Sequence, residues 1–234
     1  MRPKGLIVAI DGPAGAGKST AARELARSLG YIYVDTGAMY RVVGFLARER
    51  GLSPQDGPGL GQVAARVTVR FEARTDGTQT VLADGRDVTS AIRDQSIGDW
   101  ASKVSTQGEV RHHMVAAQRA VAHEGGAVLE GRDIGTVVFP DADLKFFLEA
   151  SPEERGQRRQ RQLQEKGEAP ALTEIVSEIE ARDRRDQSRE HSPLYCAPDA
   201  VRIDTTRLGA QEVVATLLAR CRERLAAGGR PLKP

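Results

Sequence analysis

The chain has 234 residues, 28% of them charged and 40% apolar, a balance that suits one globular core with room for an inserted subdomain. Its formal net charge of +2 is too small to argue for a nucleic-acid or membrane partner, and no apolar run has the length of a membrane span or a secretory leader. Cys196 and Cys221 lack metal-ligand or disulfide spacing, and His112, His113, His123 and His191 form no metal constellation, so a soluble, cytoplasmic protein is expected.

Leu6–Ile10 is a continuous apolar run of the kind a buried parallel strand needs. It leads into Gly12, Pro13, Ala14, Gly15, Ala16, Gly17, Lys18, Ser19 and Thr20, and a helical pattern continues to Leu29. A strand, a loop with G-x-x-x-x-G-K-S spacing and a helix make a phosphate-binding loop. The chemistry demands these residue types. Glycine lets successive amides turn toward one phosphate, and the helix start adds unpaired N–H groups and the positive end of its dipole. Lys18 brings a mobile cation to the β- and γ-phosphates, and the Ser19 hydroxyl can bind Mg²⁺.

Tyr31–Val34, Ala127–Leu129, Leu144–Leu148 and Val201–Ile203 extend the strand series, with helical patterns between them. That alternation predicts an α/β fold, a parallel sheet flanked by helices. Two regions depart from it. Ser53–Gly61, rich in Gly and Pro, reads as a loop. Beyond it, Val67–Phe71 alternates apolar and polar residues, and Thr80–Ala83 follows an Asp76-Gly77 turn signal. A small antiparallel unit inserted at about residues 60–95 is expected. Thr106–Glu109 and Ser151–Glu154 read as capping boxes, the second with Pro152 at the first helical position. Val213, Val214, Leu217, Leu218, Cys221 and Leu225 form a core-facing stripe on the last helix, and the tail from Gly228 is expected to fray.

The second irregular region is a run of arginines: Arg155, Arg158, Arg159, Arg161, Arg182, Arg184, Arg185 and Arg189. Arg155, Arg158 and Arg159 share one helical face. Such a run is ordinarily a solvated surface, but beside a phosphate-binding loop it reads as a lid that closes on transferring phosphates. The chain contains no Asn, which excludes the Asn-Lys-x-Asp base-reading motif of GTPases, and no Leu-Ser-Gly-Gly-Gln signature of transporter ATPases. A small-molecule kinase remains.

Three further segments narrow the class: Asp35-Thr-Gly-Ala-Met-Tyr-Arg41, Glu130-Gly-Arg-Asp-Ile-Gly-Thr-Val-Val-Phe-Pro-Asp141 and Arg182-Asp-Arg-Arg-Asp-Gln-Ser-Arg189. With the loop spelled Asp11-Gly-Pro-Ala-Gly-Ala-Gly-Lys18, and in this order, they closely resemble the bacterial cytidylate kinases, P-loop nucleoside monophosphate kinases, from Ile10 to about Thr206. The resemblance implies a single kinase domain over residues 1–234. Its core would be about 1–35, 100–150 and 195–227, its monophosphate-binding part about 36–99 with the β insertion inside it, and its helical lid about 151–190.

It also implies phosphoryl transfer from ATP to CMP or dCMP with Mg²⁺ as cofactor. By similarity, Arg41, Arg132 and Arg189 would hold the acceptor's phosphate. Ser102, Arg111 and Asp133 would face cytosine, and Arg182 and Asp186 would hold the ribose. Thr36, where some relatives have Ser, would sit at the acceptor. From the residues themselves, Lys18 and, in preference to Arg159 and Arg161, Arg155 and Arg158 are expected to act on the transferring phosphoryl group, and Ser19 to bind Mg²⁺, with Asp35 or Glu130 helping through water. A helix cap or an arginine pair is the ordinary alternative for Asp35 and Glu130.

The residue chemistry agrees with these roles. Joining two polyanions requires separate cation sets for donor and acceptor, and arginine forks suit a phosphate dianion. An aspartate accepts from the cytosine amino group and repels the carbonyl that uracil carries there. The alternatives are a kinase for UMP, AMP or a non-nucleotide acceptor such as shikimate, a nucleotide-switched binding protein, and an RNA binder using the arginine run. The aromatic content of 4% weighs against the last. Small-molecule partners and a monomer are expected.

Overall fold

A computed structural model describes residues 2–74, 78–165 and 167–228. In chain order the elements are β1 (Ile7–Asp11), α1 (Lys18–Leu29), β2 (Ile32–Asp35), α2 (Thr36–Glu49), α3 (Gly57–Arg66), β3 (Val69–Ala73), β4 (Gln79–Ala83) and β5 (Arg86–Asp87). There follow α4 (Gln95–Val104), α5 (Gly108–Ala122), β6 (Ala127–Gly131), β7 (Leu144–Glu149), α6 (Pro152–Gln164), α7 (Leu172–Gln187), β8 (Val201–Asp204) and α8 (Ala210–Ala226). The expected α/β architecture is present: a five-stranded sheet in the order β2-β6-β1-β7-β8, and a separate three-stranded sheet in the order β3-β4-β5. The described residues fall into two compact units, one from segments 1–33 and 122–234, the other Val34–Val121.

In the first unit β1 lies at the centre of the sheet, paired in parallel with β6 from Ile7 opposite Ala127 and with β7 from Val8 opposite Leu144. Every residue of β1 and β6 is buried, which is why both read as unbroken apolar runs rather than alternating ones. Val8, Ile10, Phe146 and Leu148 pack with Leu25 of α1 and with Leu217 and Cys221 of α8 in one core, so the α8 stripe is core packing. The helical pair α6 and α7 has a small core of its own, Leu163, Ile175 and Ile179. Ser151 opens α6 as expected, its hydroxyl accepting the Glu154 amide at 3.2 Å with Pro152 in the first turn.

In the second unit Met39, Val43, Leu60, Val104, Val110 and Met114 join α2, α3, α4 and α5, while Val42, Val81, Val88 and Ile92 join α2 to the small sheet. β3 and β4 are antiparallel, as the alternation predicts; the expected Asp76-Gly77 turn, like the tail beyond Gly228, lies outside the described residues.

Two expectations are corrected here. Gly57–Gly61 is not loop but the start of α3, whose N-cap Asp56 accepts the Gly59 amide at 3.0 Å, with Pro58 in the first turn. The glycines serve close packing: a Cβ on Gly61 would lie 2.7 Å from Cβ of Glu109 on α5. Thr106 does not open α5 through a capping box. Its hydroxyl turns back and donates to the Lys103 carbonyl at 2.8 Å, closing α4 instead.

Candidate active site

The loop between β1 and α1 bends through glycines in a backbone region that other residues rarely adopt. Gly12, Gly15 and Gly17 have φ of 144°, 80° and 86°. A Cβ on Gly12 would fall 2.0 Å from the Leu148 carbonyl oxygen, so the loop crosses the end of β7 with no room for a side chain. Gly17 is the N-cap of α1, and no side chain caps that end. The first amides of α1 are thus oriented for an anion, and Ser19 and Thr20 beside them are exposed.

Lys18 is buried, its ammonium donating to the Pro13 carbonyl at 2.6 Å. Burial, together with the positive charge of Arg132 and Arg182, lowers its pKa to about 7, against the pull of Glu130 and Asp11. A desolvated cation with cationic neighbours is a strong electrostatic attractor for a polyanion. Glu130, at the end of β6, is buried and accepts from the Tyr33 hydroxyl at 2.5 Å.

Arginines of α6 reach the same loop. Arg155, 3% exposed, donates to the carbonyls of Ala14 at 3.2 Å and Ala150 at 3.0 Å and pairs with Asp183 of α7 at 2.6 Å. Arg158 pairs with Glu154 at 2.9 Å, donates to Thr205 at its hydroxyl (3.0 Å) and carbonyl (2.6 Å), and reaches the Gly15 carbonyl at 3.5 Å. Arg161 instead lies outward, 3.8 Å from Glu154 and 65% exposed. Arg155 and Arg158 thus both bond to the loop's backbone.

A second charged cluster joins β6 to α7. Asp186 has no exposure; it accepts from Arg132 Nε at 2.9 Å and is in close contact with Arg189. Burial pushes its carboxyl up, but Arg132, Arg189 and Arg182 outweigh that and hold it below the usual carboxylate range. Asp133, also buried, begins a single π-helical turn, Ile134–Val138, its carbonyl accepting the Val137 amide at 2.9 Å. Asp11 holds that turn from below: its two oxygens accept the amides of Ile134 at 2.9 Å and Gly135 at 2.7 Å.

The remaining expected residues belong to the second unit. Thr36 is the buried first residue of α2, behind Asp35, which caps the helix by accepting the Ala38 amide at 2.9 Å. Arg41 donates to the carbonyls of Ile92 at 2.9 Å and Asp94 at 3.4 Å, and lies on Gly98 of α4, where a Cβ would come 3.1 Å from its guanidinium. Ser102, one turn after Gly98, is buried. Arg111 of α5 is buried too, donating to the Ser105 carbonyl at 3.4 Å and lying 5.8 Å over the Tyr40 ring.

Cytidylate kinase is the family whose model matches residues 8–223. The chain belongs to the cytidylate kinase family. A cytidylate kinase of Citrifermentans bemidjiense is 47% identical over 228 residues, 97% of either chain, and one of Geobacter sulfurreducens is 49% identical over 221 residues, 94% of either chain. A bifunctional pantoate ligase/cytidylate kinase of Synechococcus is 48% identical over 97% of this chain, which spans 42% of that protein. Among solved structures a gluconokinase of Sinorhizobium meliloti is 16% identical over 98% of this chain and 100% of its own, with a TM-score of 0.46. At that distance the fold rests on the strand order itself.

Members of the cytidylate kinase family imply Mg²⁺, and the donors present fit it. The described residues hold no group of three or more His, Cys, Asp or Glu able to ligate a metal. An exposed Ser19 hydroxyl at the helix start and the Glu130 carboxylate suit a hard cation that keeps waters and nucleotide phosphates as its main ligands. Asp35 has taken both ordinary roles, helix cap and partner of Arg93 at 3.6 Å.

Four residues at the first unit's charged clusters escaped the sequence reading: Asp11, Tyr33, Asp183 and Thr205. Asp183 had a local signal, since it lies three residues before Asp186 on one helical face. Asp11, Tyr33 and Thr205 had none, because their partners are about 50 to 190 residues away.

Proposed function

We propose that this chain transfers the γ-phosphoryl group of ATP to CMP or dCMP, giving ADP and CDP or dCDP, in pyrimidine nucleotide metabolism in the cytoplasm. The observation that carries the reading is the cationic set on the first unit, in a chain of this family: Lys18, Arg155 and Arg158 bonded to the backbone of the phosphate-binding loop. In this reading the loop from Gly12 to Thr20 holds ATP through its amides and Lys18, and Arg155 and Arg158 stabilise the charge that spreads over the transferring phosphoryl group. Ser19 would hold Mg²⁺, with Glu130 or Asp35 through water, and the ion when bound would neutralise charge between the β- and γ-phosphates.

The acceptor's phosphate oxygen is the nucleophile, so no side chain need form a covalent intermediate. Arg41, Arg132 and Arg189 hold the acceptor's phosphate. Asp133 accepts from the cytosine amino group, Ser102 and Arg111 serve the base, Arg182 and Asp186 serve the ribose, and Thr36 serves the acceptor. Rate then comes from positioning and from fixed charge.

The test is ADP release from ATP and Mg²⁺ with CMP, dCMP, UMP, AMP or no acceptor, side by side. Strong stimulation by CMP or dCMP alone is expected. Equal stimulation by UMP would keep the kinase and discard the base reading, and no stimulation by any acceptor would discard the transfer.

A further inference from the structure

The residues assigned above to the acceptor's phosphate and base, Arg132 and Asp133, lie on the short segment between β6 and the π-helical turn. That segment is gripped from two sides. On one, Asp11 accepts the amides of Ile134 and Gly135 with one carboxylate oxygen each, at 2.9 and 2.7 Å. On the other lies the stem of Lys145. A Cβ on Gly135 would be 3.0 Å from Lys145 Cδ and 3.4 Å from Asp11 Oδ2, so the backbone is held between them. Lys145 is itself fixed, its ammonium donating to the Pro140 carbonyl at 2.7 Å and to Asp199 at 2.9 Å. The Ile134 amide belongs to the same peptide plane as the Asp133 carbonyl. Fixing that plane restricts the direction in which Asp133 leaves the backbone, and Arg132 precedes it directly.

Asp11 borders the phosphate-binding loop in sequence, so the plain expectation is that it serves the triphosphate. Its geometry says otherwise: both oxygens are committed to the 134–135 backbone, and the side chain is 5% exposed. We infer that Asp11 is a positioning residue for acceptor selection, setting through Ile134 and Gly135 the placement of Arg132 and Asp133. The inference rests on the assignment of those two residues to the acceptor.

The experiment is steady-state kinetics of the full chain with CMP and UMP, at varied ATP, for wild type, Asp11→Asn, Gly135→Ala and Asp133→Ala. An asparagine keeps one acceptor oxygen and turns an amide donor against one of the two N–H groups, a loss that corresponds to roughly a tenfold weakening. The expected result for Asp11→Asn is a KM for CMP raised about tenfold, a reduced ratio of kcat/KM for CMP over UMP, and a KM for ATP within about twofold of wild type. A merely structural tie would lower Tm and leave that ratio untouched. Gly135→Ala strains the same turn from the Lys145 side, where a flexible stem can yield, and carries the same expected signature should Asp11→Asn not fold. A folded variant with unchanged CMP KM and selectivity, or one whose ATP KM rises as much as its CMP KM, overturns the inference. Failure of the acceptor assignment shows separately, as unchanged CMP preference in Asp133→Ala.

Discussion

Lys18 shows how one side chain can be costly to the fold and necessary to the chemistry. Its ordinary pKa of 10.5 falls to about 7 because burial and the neighbouring arginines disfavour the charged form. Between those two values the unfolded chain holds a proton that the folded chain has released. Stability therefore rises with pH through that window, and the burial penalty is fully present below about pH 7. Lys18→Met keeps the stem and removes the charge. It is expected to raise Tm at pH 7 by roughly 3 °C or more, to flatten the stability–pH curve between about 7 and 10, and to lower kcat by at least about 100-fold. Thermal melts across that pH range beside an ADP-release assay check it; a lowered Tm would show that the lysine stabilises its own site. Asp11 has the opposite window. Burial raises it from 3.8 to about 6, so its contribution is present below the lower value and is lost as pH rises to the upper one, an effect of about 3 kcal/mol. Asp11→Asn is expected to remove that slope between pH 4 and about 6 in the same melts.

At the scale of elements, the helical pair α6–α7 depends on a single missing side chain. A Cβ on Gly156 would lie 2.6 Å from Cγ2 of Val176, so the two helices approach as closely as they do because Gly156 has none. Gly156→Leu is expected to splay the pair, displace Arg155 from Asp183 and Arg158 from Thr205, and lower kcat by roughly tenfold or more while nucleotide affinity changes less. Unaltered kcat in a folded variant would show that the pair's spacing is irrelevant to transfer. Elements were legible wherever local pattern and final environment agree. β1 and β6 are buried along their whole length and read as apolar runs, and Ser151-Pro152 carries its own cap. The glycines of α3 misled because they answer to Glu109, some fifty residues on, where local signals point to a turn. The phosphate-binding loop was legible because its glycines act on their own backbone. Asp11 was not, since a lone aspartate at a strand end has no meaning until residues 134 and 135 reach it.

For the whole molecule, the described surface exposes few large apolar side chains. Its exposed large apolar residues are Ile32, Val121 and Tyr195, singly placed in sequence on β2, on α5 and in the segment before β8, rather than gathered on one element. We expect a monomer in sedimentation equilibrium at micromolar concentration; a stable dimer would overturn that. No helix among the described residues is long and apolar enough to cross a membrane.

The central position of β1 carries a consequence for synthesis. The strand that leads into the phosphate-binding loop is made before its partners, which begin at Ala127 and Leu144, so it waits for the whole Val34–Val121 segment before it can pair. The Val34–Val121 unit, by contrast, is contiguous and has its own cores, so it can close while β1 is still single. Ribosome-stalled chains should therefore protect this middle segment from protease well before the residues around Lys18. β1 thus precedes that unit in synthesis yet becomes native after it, and its apolar strand is the one that needs shielding in the interval.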